Sequence, residues 1–175
     1  MTFSHLRRGG TYYRVCDPSW PDPSDTSFSK TNGGRWNPPD RPGRPGFGAL
    51  YLNATLAVAR ANARRHVLAS FGATLDDLVD EAHKPELQQY EVVESDFVDA
   101  VTPAAVAALG LAPSYPSAIP HPPCQGIAEE AYAQGEPGII PLSAASPSDE
   151  ELVIFDRDVG ALTVKTARKK FTSWY

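Results

Sequence analysis

The chain has 175 residues, of which 42% are hydrophobic, and 16 Lys and Arg face 21 Asp and Glu for a formal net charge of −5. This length predicts a single domain over residues 1–175, with enough apolar residues for a buried core. The acidic balance argues against a general binder of nucleic acid or membrane surfaces. No apolar run approaches the ~20 residues of a membrane span, and the first residues lack the apolar segment of a signal peptide.

Cysteine and histidine spacing gives no sign of a metal site. Cys16 and Cys124 lie far apart and fit no metal-binding or redox spacing, and the four histidines form no zinc pattern. Isolated thiols are typical of proteins in a reducing compartment. We therefore expect free, partly buried cysteines, no bound metal and a cytoplasmic location.

Two clusters rich in proline and glycine, Asp17–Gly48 and Pro113–Pro123, divide the chain. Such stretches exclude long helices and central strands. A structureless loop of about thirty residues inside a compact domain is more often functional than idle. The first cluster is therefore a candidate part of a binding site.

Between these clusters, short periodic segments predict the regular elements. The predicted strands are Thr11–Cys16, Ala49–Asn53, Gln88–Val93, Gly138–Leu142 and Glu151–Phe155, with a further candidate at Leu162–Thr166. The predicted helices are Thr55 to about Ser70, Thr74–Ala82, Pro103–Leu109, and Pro122 or Pro123 to about Gln134. Because strands and helices mix without regular βαβ spacing, we predict an α+β fold.

The first segment with chemical potential is Gly33-Gly34-Arg35-Trp36-Asn37. Two glycines permit a tight turn, and the planar Arg35 guanidinium can fork onto phosphate oxygens. Trp36 could stack on a ring, and Asn37 could hydrogen-bond a ring or ribose. An ordinary surface turn with a solvated arginine explains the same residues.

Two hydroxyl groups follow or end predicted strands. Tyr51 near the end of one strand could present its ring and hydroxyl to a planar ligand, or fill the core. Ser143, next to small residues, could contact a ligand that approaches closely, or hydrogen-bond its own backbone. The acidic run at 149–151 is interpreted as a solvated turn entering a strand, and the basic tail at 167–170 as a solvated end.

Together these segments resemble the RES domain family, named for an Arg, a Glu and a Ser. The resemblance covers residues 11 to 156, through the blocks YRV, GGRWNP, LYL, LAVARANARRH, QGIAEEA and GIIPLSAA. It implies an ADP-ribosyltransferase-like α+β fold whose mixed and antiparallel strands surround an NAD+ cleft. It further implies an enzyme that degrades NAD+ by cleaving the nicotinamide–ribose bond, with water or phosphate as acceptor and no added cofactor. The implied partner is an Xre-type helix-turn-helix antitoxin protein.

The resemblance also assigns roles to individual residues. Arg35 takes the place of the family Arg and, with Arg14, would hold the pyrophosphate. Tyr51 would contact the nicotinamide side, and Ser143, as the family Ser, would hydrogen-bond the nicotinamide or its ribose. The family Glu falls on Asn62, and the sequence contains no Asp or Glu between residues 40 and 76.

The exchange at Asn62 leaves several alternatives open. Cleavage builds positive charge on the ribose, which a carboxylate stabilises and an amide does not. Turnover would then be slow, and Asn62→Glu would raise it, unless Glu129, Glu130 or an acidic loop residue supplies the charge. The domain would otherwise bind NAD+ or ADP-ribose without turnover, or transfer ADP-ribose to a protein.

Overall fold

The computed structural model describes residues 1–72, 74–77, 83–117 and 121–175. Its strands are β1 (His5–Cys16), β2 (Ala49–Asn53), β3 (Glu86–Ala100), β4 (Gly138–Pro141), β5 (Glu151–Phe155) and β6 (Thr163–Lys169). Its α-helices are α1 (Ser27–Asn32), α2 (Leu56–Phe71), α3 (Pro103–Ala108), α4 (Pro122–Gln134) and α5 (Val159–Leu162).

All of these strands belong to one sheet, whose order is β1-β2-β5-β4-β3-β6. Because β1 also pairs with β3, the strands β1, β2, β5, β4 and β3 form a closed ring of pairings. β6 pairs with the first half of β3, and β3 runs parallel to β4 while the other pairs are antiparallel. Mixed strands with flanking helices confirm the predicted α+β class.

β1 and β3 are much longer than predicted, because they pair along almost their whole length. Their register runs from His5 opposite Val98 to Cys16 opposite Glu86, with a bulge beside Gly10. The polar run at 94–96 resembles a strand end in the sequence. In the structure, however, Arg7 ion-pairs across the two strands with Glu94 and Asp96, and opposite charges on facing strands favour pairing.

The helices agree better with their predictions. Thr55 caps α2 by accepting a 3.2 Å hydrogen bond from the amide of Val58, and Ala59, Ala63 and Val67 are buried as the periodicity predicts. α4 starts at Pro122 and ends at Gly135, whose φ of 90° is the left-handed conformation that glycine favours. Both helices reach their predicted bounds within one residue.

The structure differs from the sequence predictions at the first Pro/Gly cluster and the basic tail, and it describes only part of the predicted helix Thr74–Ala82. The first Pro/Gly cluster contains the short helix α1, which was not predicted. Of the predicted helix Thr74–Ala82, the structure describes one 3-10 turn at Leu75–Asp77, and residues 78–82 lie outside the described residues. The basic tail at 167–170 is exposed as predicted, but it continues β6, and Arg168 ion-pairs with Glu86.

Alternation along β2 decides which side chains reach the site. Leu50 and Leu52 pack into one buried cluster, with Leu152 and Ile154 of β5. Ala49 belongs to a second cluster on the other face, against which Tyr51 packs. Successive strand residues point to opposite faces, so β2 directs Tyr51 towards the same layer as the Pro/Gly-rich segment.

The described part of the chain contains no helix with the length and apolar character to span a membrane. Cys16 and Cys124 are buried and unpaired, as predicted. Burial raises the pKa of the Cys16 thiol to about 11, which keeps it protonated at neutral pH.

Candidate functional site

A cavity of about 450 Å³ opens where the end of β1, the Gly/Arg turn, the end of β2, the middle of α2 and the start of β5 meet. Its volume lies in the range of small-molecule sites. Five of the seven predicted site residues border it, namely Arg14, Arg35, Trp36, Tyr51 and Asn62. Asn37 and Ser143 are fully buried behind its wall.

Arg35 occupies a tight turn that the rest of the fold holds rigidly. The amide of Gly34 donates to the carbonyl of Asn37 across the turn at 2.8 Å. From outside, the side chain of Gln125 on α4 donates to the Gly34 carbonyl at 2.8 Å. None of the described residues hydrogen-bonds or ion-pairs with the guanidinium itself, which is half-buried at the cavity wall. The turn therefore presents to the cavity a cation that no residue of the described part of the chain neutralises by an ion pair.

Gly34 is required by close approach. A Cβ at this position would lie 2.5 Å from the Tyr51 hydroxyl and 2.8 Å from Oδ1 of Asn37. Such distances are shorter than van der Waals contact, so any larger residue must displace the turn. The sequence predicted that the two glycines permit a tight turn, and the structure shows that Gly34 leaves room for the Tyr51 hydroxyl.

The side chains of Trp36 and Asn37 are buried in the core, and their proposed ligand contacts remain predictions. Trp36 has no exposed surface, and its ring packs edge-on against Tyr115 at 6.0 Å. Asn37 donates to the carbonyls of Ser29 at 2.7 Å and Phe47 at 3.0 Å. These contacts use the polar atoms of Asn37 to hold the turn.

Tyr51 connects the turn to β2. Its hydroxyl accepts from the Trp36 amide at 2.9 Å and donates to Oδ1 of Asn37 at 2.8 Å. Burial, and the nearby carboxylate of Glu151, raise the pKa of this phenol, while the Trp36 amide and Arg35 oppose the rise. The neutral side chain of Tyr51 borders the cavity, and its hydroxyl already has two protein partners.

Arg14 is the second predicted anion ligand, and it is held more tightly than Arg35. Its guanidinium donates to the carbonyl of Pro23 and lies 5.1 Å from the ring centre of Trp20. Burial lowers its pKa, although an arginine remains charged at any physiological pH. Arg14 is thus a cation at the cavity wall with donors partly engaged.

Asn62 of α2 points to the cavity and meets a carboxylate there. Its amide nitrogen donates to Oε1 of Glu151 at 2.7 Å and to Oδ1 of Asn53 at 2.6 Å. Asn53 and Glu151 face each other across β2 and β5. Asn62 on α2 and Glu151, the first residue of β5, therefore belong to one hydrogen-bonded cluster.

Ser143 belongs to the same cluster but not to the cavity wall. Its hydroxyl donates to Oε1 of Glu151 at 2.7 Å and accepts from the amides of Ala145 at 3.2 Å and Ser146 at 3.3 Å. The backbone contacts match the structural alternative weighed for this serine. A direct contact of Ser143 with a ligand remains a prediction. In the structure, the Ser143 hydroxyl donates its hydrogen bond to Glu151.

Glu151 is the functional candidate that sequence reasoning missed. The acidic run was interpreted as a solvated turn, but Glu151 is half-buried and borders the cavity. Its neighbour Glu150 faces elsewhere and ion-pairs with Arg8 at 2.9 Å. Strand alternation starting at residue 151 separates the two side chains. A prediction of which face of β5 meets the site would have distinguished them.

The other acidic residues considered as substitutes for the family Glu lie elsewhere. Glu129 forms a bidentate ion pair with Arg44, and Glu130 pairs with the amino group of Met1 at 3.1 Å. Neither residue borders the cavity. Both suggestions are therefore wrong for this site.

The remaining lining favours an anion over a metal. Arg65 adds a third guanidinium and donates to the carbonyl of Ala144. Burial, followed by Arg35 and Arg65, lowers the pKa of His121, so a neutral imidazole borders the cavity at neutral pH. Within residues 1–72, 74–77, 83–117 and 121–175, no group of His, Cys, Asp and Glu side chains has the arrangement of a metal site.

Fold and site together define an α+β domain with a nucleotide-sized cavity that is lined by three arginines and two carboxylates, those of Asp17 and Glu151. The sequence matches the RES domain family over residues 11–173, and the chain belongs to this family. A chain of the crystal structure of the M. tuberculosis MbcT-MbcA toxin-antitoxin complex has a similar fold. It superposes with a TM-score of 0.76 at 22% identity, covering 93% of this chain and 87% of that chain. A search of curated proteins gave no match.

Proposed function

We propose that this RES domain binds NAD+ in the cavity and breaks its nicotinamide–ribose bond. The observation that carries the proposal is the half-buried Arg35 guanidinium, which has no hydrogen-bond or ion-pair partner among the described residues and lies on a hydrogen-bonded turn. A planar guanidinium matches the bidentate geometry of phosphate oxygens. Arg14 adds a second cation to the lining of the same cavity, which supports the binding of a pyrophosphate.

The reaction follows from the chemistry of the bond. The electron pair of the C1′–N bond moves onto the pyridinium nitrogen, and nicotinamide leaves as a neutral molecule. An oxygen of water or phosphate then bonds to C1′, and with water one proton is released. The ribose passes through an oxocarbenium-like state, as in glycoside hydrolysis. The neutral ring of Tyr51 borders the same cavity, which supports its proposed contact with the nicotinamide.

By analogy with the toxin-antitoxin complex of similar fold, we propose that the chain acts as a toxin held in check by a protein antitoxin. The family resemblance suggests an Xre-type helix-turn-helix protein as this antitoxin. Consumption of cytoplasmic NAD+ gives such a toxin its effect, because every cell depends on that pool. The two buried, unpaired thiols are compatible with this compartment.

Incubation of the purified protein with NAD+ tests this function. We expect release of free nicotinamide, with ADP-ribose as the second product in water and a phosphorylated ADP-ribose when phosphate is the acceptor. NADH is the matched control, because its uncharged dihydropyridine ring is a much poorer leaving group than a pyridinium. Intact NAD+ after prolonged incubation, together with calorimetric binding, would instead support a module that holds NAD+ without turnover.

A further inference from the structure

We infer that Glu151 is the catalytic carboxylate of this chain, placed on strand β5 to act on the ribose in the role that the family gives to a helix residue. The inference rests on the proposed cleavage of NAD+. It resolves the exchange at Asn62, because the amide there contacts the carboxylate directly at 2.7 Å. The carboxylate comes from β5 rather than from α2, but it lies beside the Asn62 side chain.

The two hydrogen bonds to Glu151 fix the direction of its side chain. Asn62 from α2 and Ser143 from the segment after β4 both donate to Oε1. No described residue donates to Oε2, and the side chain borders the cavity. One oxygen is therefore anchored, and the other is available to a ribose hydroxyl or to charge at C1′.

Glu151 also differs from its neighbour Glu150 in its ion pairing. None of the Lys, Arg and His side chains that the structure describes forms an ion pair with Glu151. Its neighbour Glu150, in contrast, is paired with Arg8 at 2.9 Å. A carboxylate that borders the cavity without an ion-pair partner among the described residues can interact with positive charge on a bound ligand. A cationic transition state would provide the missing partner.

Neutral donors suit this purpose better than cations would. Amide and hydroxyl groups orient the carboxylate without cancelling its charge, so the field at the ribose is preserved for the moment when positive charge appears. An interaction that strengthens only in the transition state raises turnover rather than ground-state affinity. Asn62 and Ser143 thus hold the carboxylate in place, and Glu151 contacts the reacting sugar.

Glu151→Gln tests the inference, with Glu150→Gln as the matched control one residue away. Glutamine keeps the acceptor for Asn62 and Ser143 and removes only the charge. We expect nicotinamide release to fall by about 10²–10³, the usual loss for one preorganised electrostatic group. Calorimetric affinity for NAD+ should change less than about threefold, because the carboxylate acts on the transition state. The Glu150 variant should keep parental turnover.

Parental turnover by a folded Glu151→Gln protein would overturn the inference while leaving the proposed function intact. Absence of NAD+ cleavage by the parent would overturn both. If the Gln variant does not fold, Glu151→Ala replaces it, and we expect a similar loss, with at least tenfold recovery when formate supplies a carboxylate. Parental turnover of the Ala variant without formate would equally overturn the assignment.

Discussion

The two charged walls of the cavity are built in opposite ways. At the Arg35 turn the hydrogen bonds join backbone and neighbouring side-chain groups, including both partners of the Tyr51 hydroxyl, and the guanidinium has no partner among the described residues. At the Glu151 cluster the protein bonds the charged group directly, through two donors on a single oxygen. Both arrangements leave a net charge facing the cavity.

The difference follows from the two side chains. A guanidinium is rigid and planar and carries five donors, so a fixed backbone beneath it and an open fork are enough to bind an oxyanion. A carboxylate on the two-carbon stem of glutamate has a rotating end group and needs donors to select one orientation. The comparison predicts that binding at Arg35 is most sensitive to changes in the backbone of its turn. The function of Glu151 should be most sensitive to loss of its charge.

The largest effect is expected from Gly34→Ala, which attacks the Arg35 wall through its backbone. The new methyl group would lie 2.5 Å from the Tyr51 hydroxyl, and overpacking of this kind costs about 1–3 kcal/mol. The displaced turn should also lose at least the NAD+ affinity that Arg35 contributes. Thermal unfolding and calorimetry measure the two losses.

Gly126→Ala is the control for that experiment. Gly126 lies in α4 and has no atom within 4 Å of an added Cβ, so alanine should stabilise the helix by about 0.5–1 kcal/mol. A Gly34→Ala protein with parental stability and affinity would show that the close approach to Tyr51 is not a constraint.

A smaller effect, confined to binding, is expected from Arg35→Ala. A hydrogen bond to a charged group contributes about 1.5–3 kcal/mol, or roughly 10–150-fold in the Kd for NAD+. The free energy of unfolding should stay within about 0.5 kcal/mol of the parent, since the guanidinium has no partner among the described residues.

The exposed Arg44, which pairs with Glu129 outside the cavity, supplies the matched arginine control. Arg44→Ala should leave NAD+ affinity within about twofold of the parent, consistent with the small value of surface ion pairs. Arg35→Lys should recover little, because a point charge cannot form the bidentate fork. Unchanged NAD+ binding by Arg35→Ala would remove Arg35 from the site.

The smallest effect is expected from Asn62→Glu. The direction of its effect on turnover distinguishes the expectation from the sequence from the expectation from the structure. The sequence alone predicts faster cleavage, whereas the structure places the new carboxylate beside Glu151. Two carboxylates in contact repel when both are ionised, so we expect a destabilisation of about 1–2 kcal/mol at pH 7 and no gain in turnover.

Asn62→Gln is the isosteric control, with the same added methylene and no charge. Its stability should depend on pH as the parent's does. For Asn62→Glu the deficit relative to this control should shrink as the pH falls and one carboxylate of the pair takes up a proton. A deficit that is independent of pH, or a faster enzyme, would show that the two side chains do not meet.

The local elements were largely predictable because short-range rules determine them. The caps, prolines and periodicity placed α2 and α4 within one residue, and β2 and β5 were predicted at their observed bounds. β1 and β3 were predicted too short, because their outer halves are stabilised by pairing with each other rather than by an apolar pattern. That pairing joins residues about ninety positions apart.

For the site, the contiguous GGR segment and the family resemblance by themselves identified Arg35, Arg14, Tyr51 and Asn62 as neighbours of one cavity. Only the tertiary structure decided the remainder. The side chains of Trp36 and Asn37 are fully buried, and the Asn37 amide donates to two backbone carbonyls there. Glu151 entered the site because β5 pairs with β2 in a register that sets it opposite Asn53. Strand register depends on long-range packing, so no local pattern in the acidic run could reveal which of its carboxylates faces the ligand.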